Sequence, residues 1–342
     1  MGDILHALPA VTALRLAHPA WTIDWVVEPR WSHLLAAEGS SGRANGQNAA
    51  QPLVDNLHFA ATKAWRKAPL SARTLHEIKA LQRKLSTGQY DAVVDLQGAV
   101  RSAMVARMAG CHRLIGEAEP RERAARWLFS EQVVTTGAHV IEQDVELACA
   151  IAADELEPVQ PWLPVDYAAQ EWAMFALASS GSRPVVLINP GAGWGAKCWP
   201  VERYAAVAQA LIDRGCRVLV NAGPGEEPLA SAIEQQTQGA ATPVGCTLAE
   251  LIALTRRVSL VIAGDTGPLH LACALGRPVV GIYGPTDPSR NGPFGTRFKV
   301  LRSPGSRRDH TRRAQPEAGL LTIQPGEVLH AALELLNPET HA

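Results

Sequence analysis

Leu260-Val261-Ile262-Ala263-Gly264-Asp265-Thr266-Gly267-Pro268-Leu269-His270-Leu271-Ala272 is the stretch whose reading decides the fold. Its first four residues form a short, fully apolar run that predicts a buried strand over 260–263. Gly264 to Gly267 must turn the chain, and Pro268 suits the first turn of a helix predicted over 268–275. A second apolar run predicts another strand over 279–283. Strand, helix and strand without a polar strand face imply a parallel sheet covered on both sides. Asp265 or Thr266 could cap the helix, which would make this an ordinary well-capped turn. Alternatively, the exposed amides and the positive end of the helix dipole offer an anion site suited to a phosphate, with His270 one turn further on the same face.

The same order recurs on either side. A strand over 185–189 runs into Gly191-Ala192-Gly193-Trp194-Gly195, followed by Lys197 and Trp199-Pro200. A glycine-rich turn with one lysine fits a diphosphate. The spacing is not that of a Walker motif, and no Gly-x-Gly-x-x-Gly occurs, which argues against a dinucleotide dehydrogenase. A helix over 201–214, a strand over 217–221, helices over 226–238 and 248–255, and a closing helix over 325–336 complete this half. In Gly223-Pro224-Gly225-Glu226, the carboxylate could accept from ribose hydroxyls or simply face solvent at a helix start.

The first half alternates less regularly. A helix is expected over 5–17 with Pro9 in its first turn, and strands over 22–28 and 91–96. Helices are expected over 70–85, 100–108, 123–129 and 140–153, and a Ser/Gly/Asn-rich loop over 39–51. Pro158, Pro161 and Pro164 make a semi-rigid linker. This divides the chain into domains at 1–160 and 168–342, each of a size that holds one core.

Composition narrows the function. Among 342 residues, 32 are basic and 33 acidic, for a net charge of −1. The balance lacks the basic excess of a duplex nucleic-acid binder. The six cysteines include no Cys-x-x-Cys pair and read as free thiols in a reducing cytoplasm. No stretch reaches a membrane-helix length and no signal pattern opens the chain. No Asp-x-Asp occurs, so the usual carboxylate pair of a divalent-metal phosphate site is missing. Two basic clusters, over 63–84 and 297–313, are either solvated faces or sites for an anionic acceptor or lipid headgroups. Asp3, at the start of the first helix, is either a cap or a general base.

Several segments together resemble glycosyltransferase family 9, the lipopolysaccharide heptosyltransferases. They are Met1-Gly2-Asp3-Ile4-Leu5-His6-Ala7-Leu8-Pro9, Asp24-Trp25-Val26-Val27-Glu28, Trp65-Arg66-Lys67-Ala68 and Asp91-Ala92-Val93-Val94-Asp95-Leu96-Gln97-Gly98. Lys197-Cys198-Trp199-Pro200, Asp265-Thr266-Gly267-Pro268-Leu269-His270 and Tyr283-Gly284-Pro285-Thr286-Asp287-Pro288 continue the series. The Trp65-Arg66-Lys67 and Asp24-Trp25 segments look most like the family's heptosyltransferase I branch.

The resemblance implies a GT-B fold, two Rossmann-like doubly wound domains facing across a cleft. It implies a cytoplasmic enzyme, peripheral on the cytoplasmic face of the inner membrane, that moves heptose from ADP-heptose to the Kdo of lipid A with inversion. No metal, cofactor or nucleic acid is implied. Asp3 would be the base, and Lys197 would meet the diphosphate. Asp265, Thr266, Gly267 and His270 would hold the diphosphate and heptose. Ala192 and Gly193, standing where the family has hydroxyl residues, would contribute backbone contacts. Glu226 would take the ribose, and the backbone near Cys246 the adenine. Lys63, Arg66, Lys67 and Arg121 would meet the anionic acceptor, with Arg101 a lesser candidate. Another family 9 acceptor, as in heptosyltransferase II, or a non-catalytic nucleotide-sugar-binding relative are the alternatives. The chain opens at the first glycine-bearing turn, where the family has a preceding strand, so the expectation is either an upstream start or a domain that lacks a central strand and exposes two sheet edges.

Overall fold

The computed structural model describes residues 1–40, 48–309, 311 and 313–337. Residues 41–47 of the expected loop, and 310 and 312 of the arginine-rich stretch, lie outside the described residues. The chain forms two compact units, one ending at Val165 and the other starting at Asp166.

The N-terminal unit opens with a helix over Gly2–Ala17, three residues earlier than expected, so Pro9 lies in the helix interior rather than its first turn. Near its end, Arg15 is almost fully buried. Its guanidinium donates to the carbonyls of Leu53 (2.9 Å) and Trp21 (2.5 Å) and to the Asp55 carboxylate (2.6 Å). That side chain ties the helix to two later loops.

Five short parallel strands follow: β1 (Asp24–Val27), β2 (Asn56–Phe59), β3 (Val93–Asp95), β4 (Leu114–Glu117) and β5 (Glu131–Val133). They form two sheets, β1-β2 and β3-β4-β5, where a doubly wound domain would have one. No described strand lies between β1 and β3 to join them. Asp24 fixes the β1-β2 register by accepting from Asn56 (2.9 Å), His58 (3.0 Å) and Tyr90 (2.8 Å). The helix Ala72–Thr87 starts at Ser71, whose hydroxyl accepts from the Thr74 amide. An unforeseen short helix, Thr62–Lys67, precedes it. The helix expected over 123–129 is instead a 3-10 segment, Arg123–Leu128. Helices Val100–Arg107 and Val140–Ala152 match their sequence patterns.

The C-terminal unit is more regular. After an unforeseen helix, Tyr167–Leu177, come β6 (Val185–Asn189), β7 (Arg217–Asn221), β8 (Thr242–Val244), β9 (Leu260–Gly264), β10 (Val279–Tyr283) and β11 (Phe298–Arg302). All pair in parallel, in the order β11-β10-β9-β6-β7-β8. Every residue of β6, β9 and β10 is buried, as the unbroken apolar runs demand. Their side chains join the helices Val201–Ile212 and Pro325–Leu336 in one core. The order reverses between β6 and β9, so the crevice beyond their carboxyl ends is the switch point where such sheets bind ligands.

Candidate active site

Two of the expected segments meet at that switch point. The turn after β6 carries Ala192, Gly193 and Lys197, and the turn after β9 carries Asp265 to Gly267. Trp199 anchors the first turn from below: its ring is buried edge-on against Tyr204, and its indole N–H donates to the Ile323 carbonyl (3.2 Å). The Lys197 ammonium is ion-paired with the Asp265 carboxylate and lies 4.3 Å from the centre of the Trp194 ring. His270 Nε2 is 3.1 Å from the other Asp265 oxygen. All three side chains are nearly sequestered, with 7–11% exposure. Burial would push the Asp265 carboxyl up, but the His270 hydrogen bond and the Lys197 charge hold it well below the usual range.

Neither expected cap closes the helix, which runs over Gly267–Ala274. Asp265 faces Lys197 and His270, and the hydroxyl of Thr266, the residue in the cap position, donates back to the Gly264 carbonyl (3.2 Å). With no side-chain cap, the first amides of the helix keep their donors and its dipole keeps its positive end.

Glu226 sits between two glycine turns. Its Oε2 accepts from the Gly223 amide at 3.1 Å. A Cβ on Gly191 would lie 1.9 Å from the same oxygen, so the glycine makes room for the carboxylate. Beside it, the Cys246 thiol donates to Asn221 (3.2 Å), whose amide donates to Asn189 (2.7 Å). Burial pushes the Cys246 thiol up to about 12, so it is protonated and inert as a nucleophile at neutral pH. Asn189, 3% exposed, keeps an Nδ2 without a partner. The sequence patterns assign no site role to Asn189 or Asn221, nor to Trp194 of the quoted turn. A polar residue closing an otherwise apolar strand, as in Val-Val-Leu-Ile-Asn and Val-Leu-Val-Asn, was the available signal.

The N-terminal unit assembles a second cluster. Asp3 lies in the first helical turn but caps nothing, since Met1 holds the cap position. Gln97 Nε2 donates to its Oδ2 at 2.7 Å, and Arg121 Nη1 is 3.5 Å from the same atom. Gln97 is held in turn by Asp95, whose carboxylate accepts from the Gln97 amide (2.9 Å) and the Ser102 hydroxyl (2.8 Å). Gly98 adopts φ +62°, and a Cβ there would meet the Arg121 amide nitrogen at 3.0 Å. That glycine therefore permits the approach that brings Arg121 to Asp3.

Lys63, Arg66 and Lys67 project into solvent from the helix Thr62–Lys67, whose Trp65 turns inward and donates to Glu77 (2.8 Å). Arg101 is exposed on the helix Val100–Arg107. Among the described residues, no group of His, Cys, Asp and Glu side chains is arranged to hold a metal ion.

A six-stranded parallel sheet with glycine-rich turns at its switch point defines a doubly wound α/β domain. The whole chain superposes on an Escherichia coli heptosyltransferase, WaaC, solved with ADP, at a TM-score of 0.77 and 27% identity, covering 98% of this chain and 97% of that one. A glycosyltransferase family 9 structure from Veillonella parvula shares the fold at a TM-score of 0.81 and 20% identity, covering 99% and 95%. The architecture is thus that of the GT-B glycosyltransferases.

The chain belongs to glycosyltransferase family 9 (heptosyltransferase), whose sequence profile matches residues 78–320. Among curated relatives, lipopolysaccharide heptosyltransferase 1 of E. coli strain RS218 is 31% identical over 310 residues, 90% of each chain. The protein of the same name from Pseudomonas aeruginosa is 28% identical, over 86% of this chain and 79% of the relative.

Proposed function

We propose that the protein transfers heptose from ADP-heptose to the Kdo of lipid A, with inversion at the anomeric carbon, in lipopolysaccharide core synthesis. Relatives named for lipopolysaccharide heptosyltransferase 1 support this reading. So do E. coli WaaC structures with ADP and with ADP-2-deoxy-2-fluoro heptose. The observation that carries it is the buried Lys197 ammonium, locked by Asp265 beside an uncapped helix start.

In this reading the unit from Asp166 onward binds the donor. Lys197, the Thr266 and Gly267 backbone and the Ala192–Gly193 turn stabilise negative charge as ADP departs. His270 reaches the heptose side and Glu226 the ribose, while the Cys246 backbone borders the adenine. Asp265 acts through Lys197 and His270. The unit ending at Val165 receives the acceptor. Asp3, steadied by Gln97, takes the proton from the attacking hydroxyl as the new C1–O bond forms and the bond to ADP breaks. Arg121, Lys63, Arg66, Lys67 and Arg101 supply positive charge for a phosphorylated or carboxylated acceptor. Fixed amides and one lysine provide the charge stabilisation, so the reaction is proposed to run without metal or cofactor. The acceptor would be met at the cytoplasmic face of the inner membrane. Among the described residues, no helix is long and apolar enough to cross it.

The test measures ADP release from ADP-heptose with Kdo-lipid A in the presence of EDTA. Full activity is expected, with Asp3→Ala reducing kcat by at least about 100-fold. Loss of activity in EDTA, or an unchanged kcat for the variant, would sink the mechanism. A higher kcat/KM on a heptosylated acceptor would reassign the substrate.

A further inference from the structure

Apart from Arg101, one surface of the N-terminal unit takes no part in that chemistry. The helix Val100–Arg107 and the 3-10 segment Arg123–Leu128 lie side by side, pinned at both ends. The Val100 amide donates to the Glu122 carboxylate (2.8 Å), and Arg107 Nη1 donates to the Leu128 carbonyl (3.0 Å). Inward, Ala103 and Ala125 pack with Leu114 and Phe129. Outward, the pair exposes Trp127 (74%) and Met104 (57%). Arg107, Arg123 and Arg126 are exposed around them, and Arg126 stacks on the Trp127 ring at 4.7 Å. Neither segment contains an acidic residue.

A large aromatic ring left in water amid arginines, on a rigid two-element platform, is poorly explained as a solvated face. The composition matches what the interfacial zone of a bilayer selects. There, Trp sits at headgroup depth and cations meet anionic lipid, each contributing about a kcal/mol. Nucleic acid would be gripped by a longer row of cations with several stacking rings.

We propose that this face, centred on Trp127 and Arg126, docks the protein on an anionic lipid bilayer. The proposal deepens the functional reading by naming the surface that meets the membrane. Its test needs neither donor nor acceptor, so the two can fail separately.

The full-length protein is sedimented with phosphatidylethanolamine vesicles containing or lacking phosphatidylglycerol. Binding should require phosphatidylglycerol and weaken as salt rises. Arg123→Gln with Arg126→Gln should lower vesicle affinity about 25-fold, roughly fivefold for each lost cation, and a double lysine variant should restore it. Trp127→Ala should reduce binding at every salt concentration. Both variants should keep wild-type kcat and KM on a soluble, delipidated acceptor, which shows that they are folded. Equal binding to neutral vesicles, no binding by the wild type, or variants that bind as the wild type does would overturn the proposal. So would concentration-dependent self-association, or binding to nucleic acid in preference to lipid, that depends on the same residues.

Discussion

Both oxygens of Asp265 are engaged by neighbours, one by the Lys197 ammonium and the other by His270 Nε2. Its carboxyl is held below the unfolded-state value near 3.8, so its stabilising effect is complete above that pH and is lost only as acid protonates the folded form. The Lys197–Asp265 pair should therefore be intact throughout the neutral range. Asp265→Asn leaves a nearly buried ammonium without its counter-charge and should cost about 3–5 kcal/mol of stability, measured by denaturant titration. The same variant should lower kcat/KM for the donor at least about tenfold. Gly191→Ala makes a sharper claim, because its Cβ would strike the Glu226 carboxylate. ADP affinity by calorimetry should fall about tenfold while the helices, read by circular dichroism, stay intact. Unchanged ADP affinity would remove Glu226 from the nucleotide site.

At the scale of elements, the arginine-rich stretch after β11 acquires a structural explanation that its composition hid. Arg302, the last residue of β11, donates to the carbonyls of Gly284 (3.2 Å), Thr286 (3.1 Å) and Ser306 (2.7 Å), fastening the following segment to the loop after β10. That segment then crosses the Lys197 turn. The Ala196 amide donates to the Arg313 carbonyl (3.0 Å), and the Glu317 amide donates to the Ala196 carbonyl (3.2 Å). A Cβ on Gly195 would lie 1.7 Å from the Ala314 carbonyl oxygen. Gly195→Ala should push the two segments apart and raise the donor KM at least about fivefold, with a smaller change in thermal stability than in donor binding.

The sequence was most legible where burial leaves one option. β6, β9 and β10 are continuous apolar runs and were placed nearly to the residue. The turns after β6 and β9 are legible because glycine and proline announce them. It was least legible where strands are short and mixed: Asn-Leu-His-Phe in β2 and Glu-Gln-Val in β5 show neither a buried run nor a clean alternation, and only pairing with a neighbour makes them strands. The contact of Gln97 with Asp3 is hidden for a related reason. Its use depends on Asp95 bending the turn, a contact between side chains that no local pattern encodes.

For the whole molecule, the two units have separate cores, and the donor ligands proposed here all belong to the second. Saturating ADP should therefore raise one calorimetric transition and leave the other in place, with about 2.7 kcal/mol of added stability at a hundredfold excess over Kd. Movement of both transitions together would show that the units unfold as one.

The split sheet of the first unit carries a further cost. Six strands in one sheet leave two open edges, whereas five strands in two sheets leave four among the described residues. Each open edge presents backbone donors and acceptors that will pair with any extended chain they meet. In concentrated solution, or during refolding, the first unit is therefore where chains would begin to stick to one another. Solubility would then be decided in that half of the protein, whatever the quality of the six-stranded core in the other.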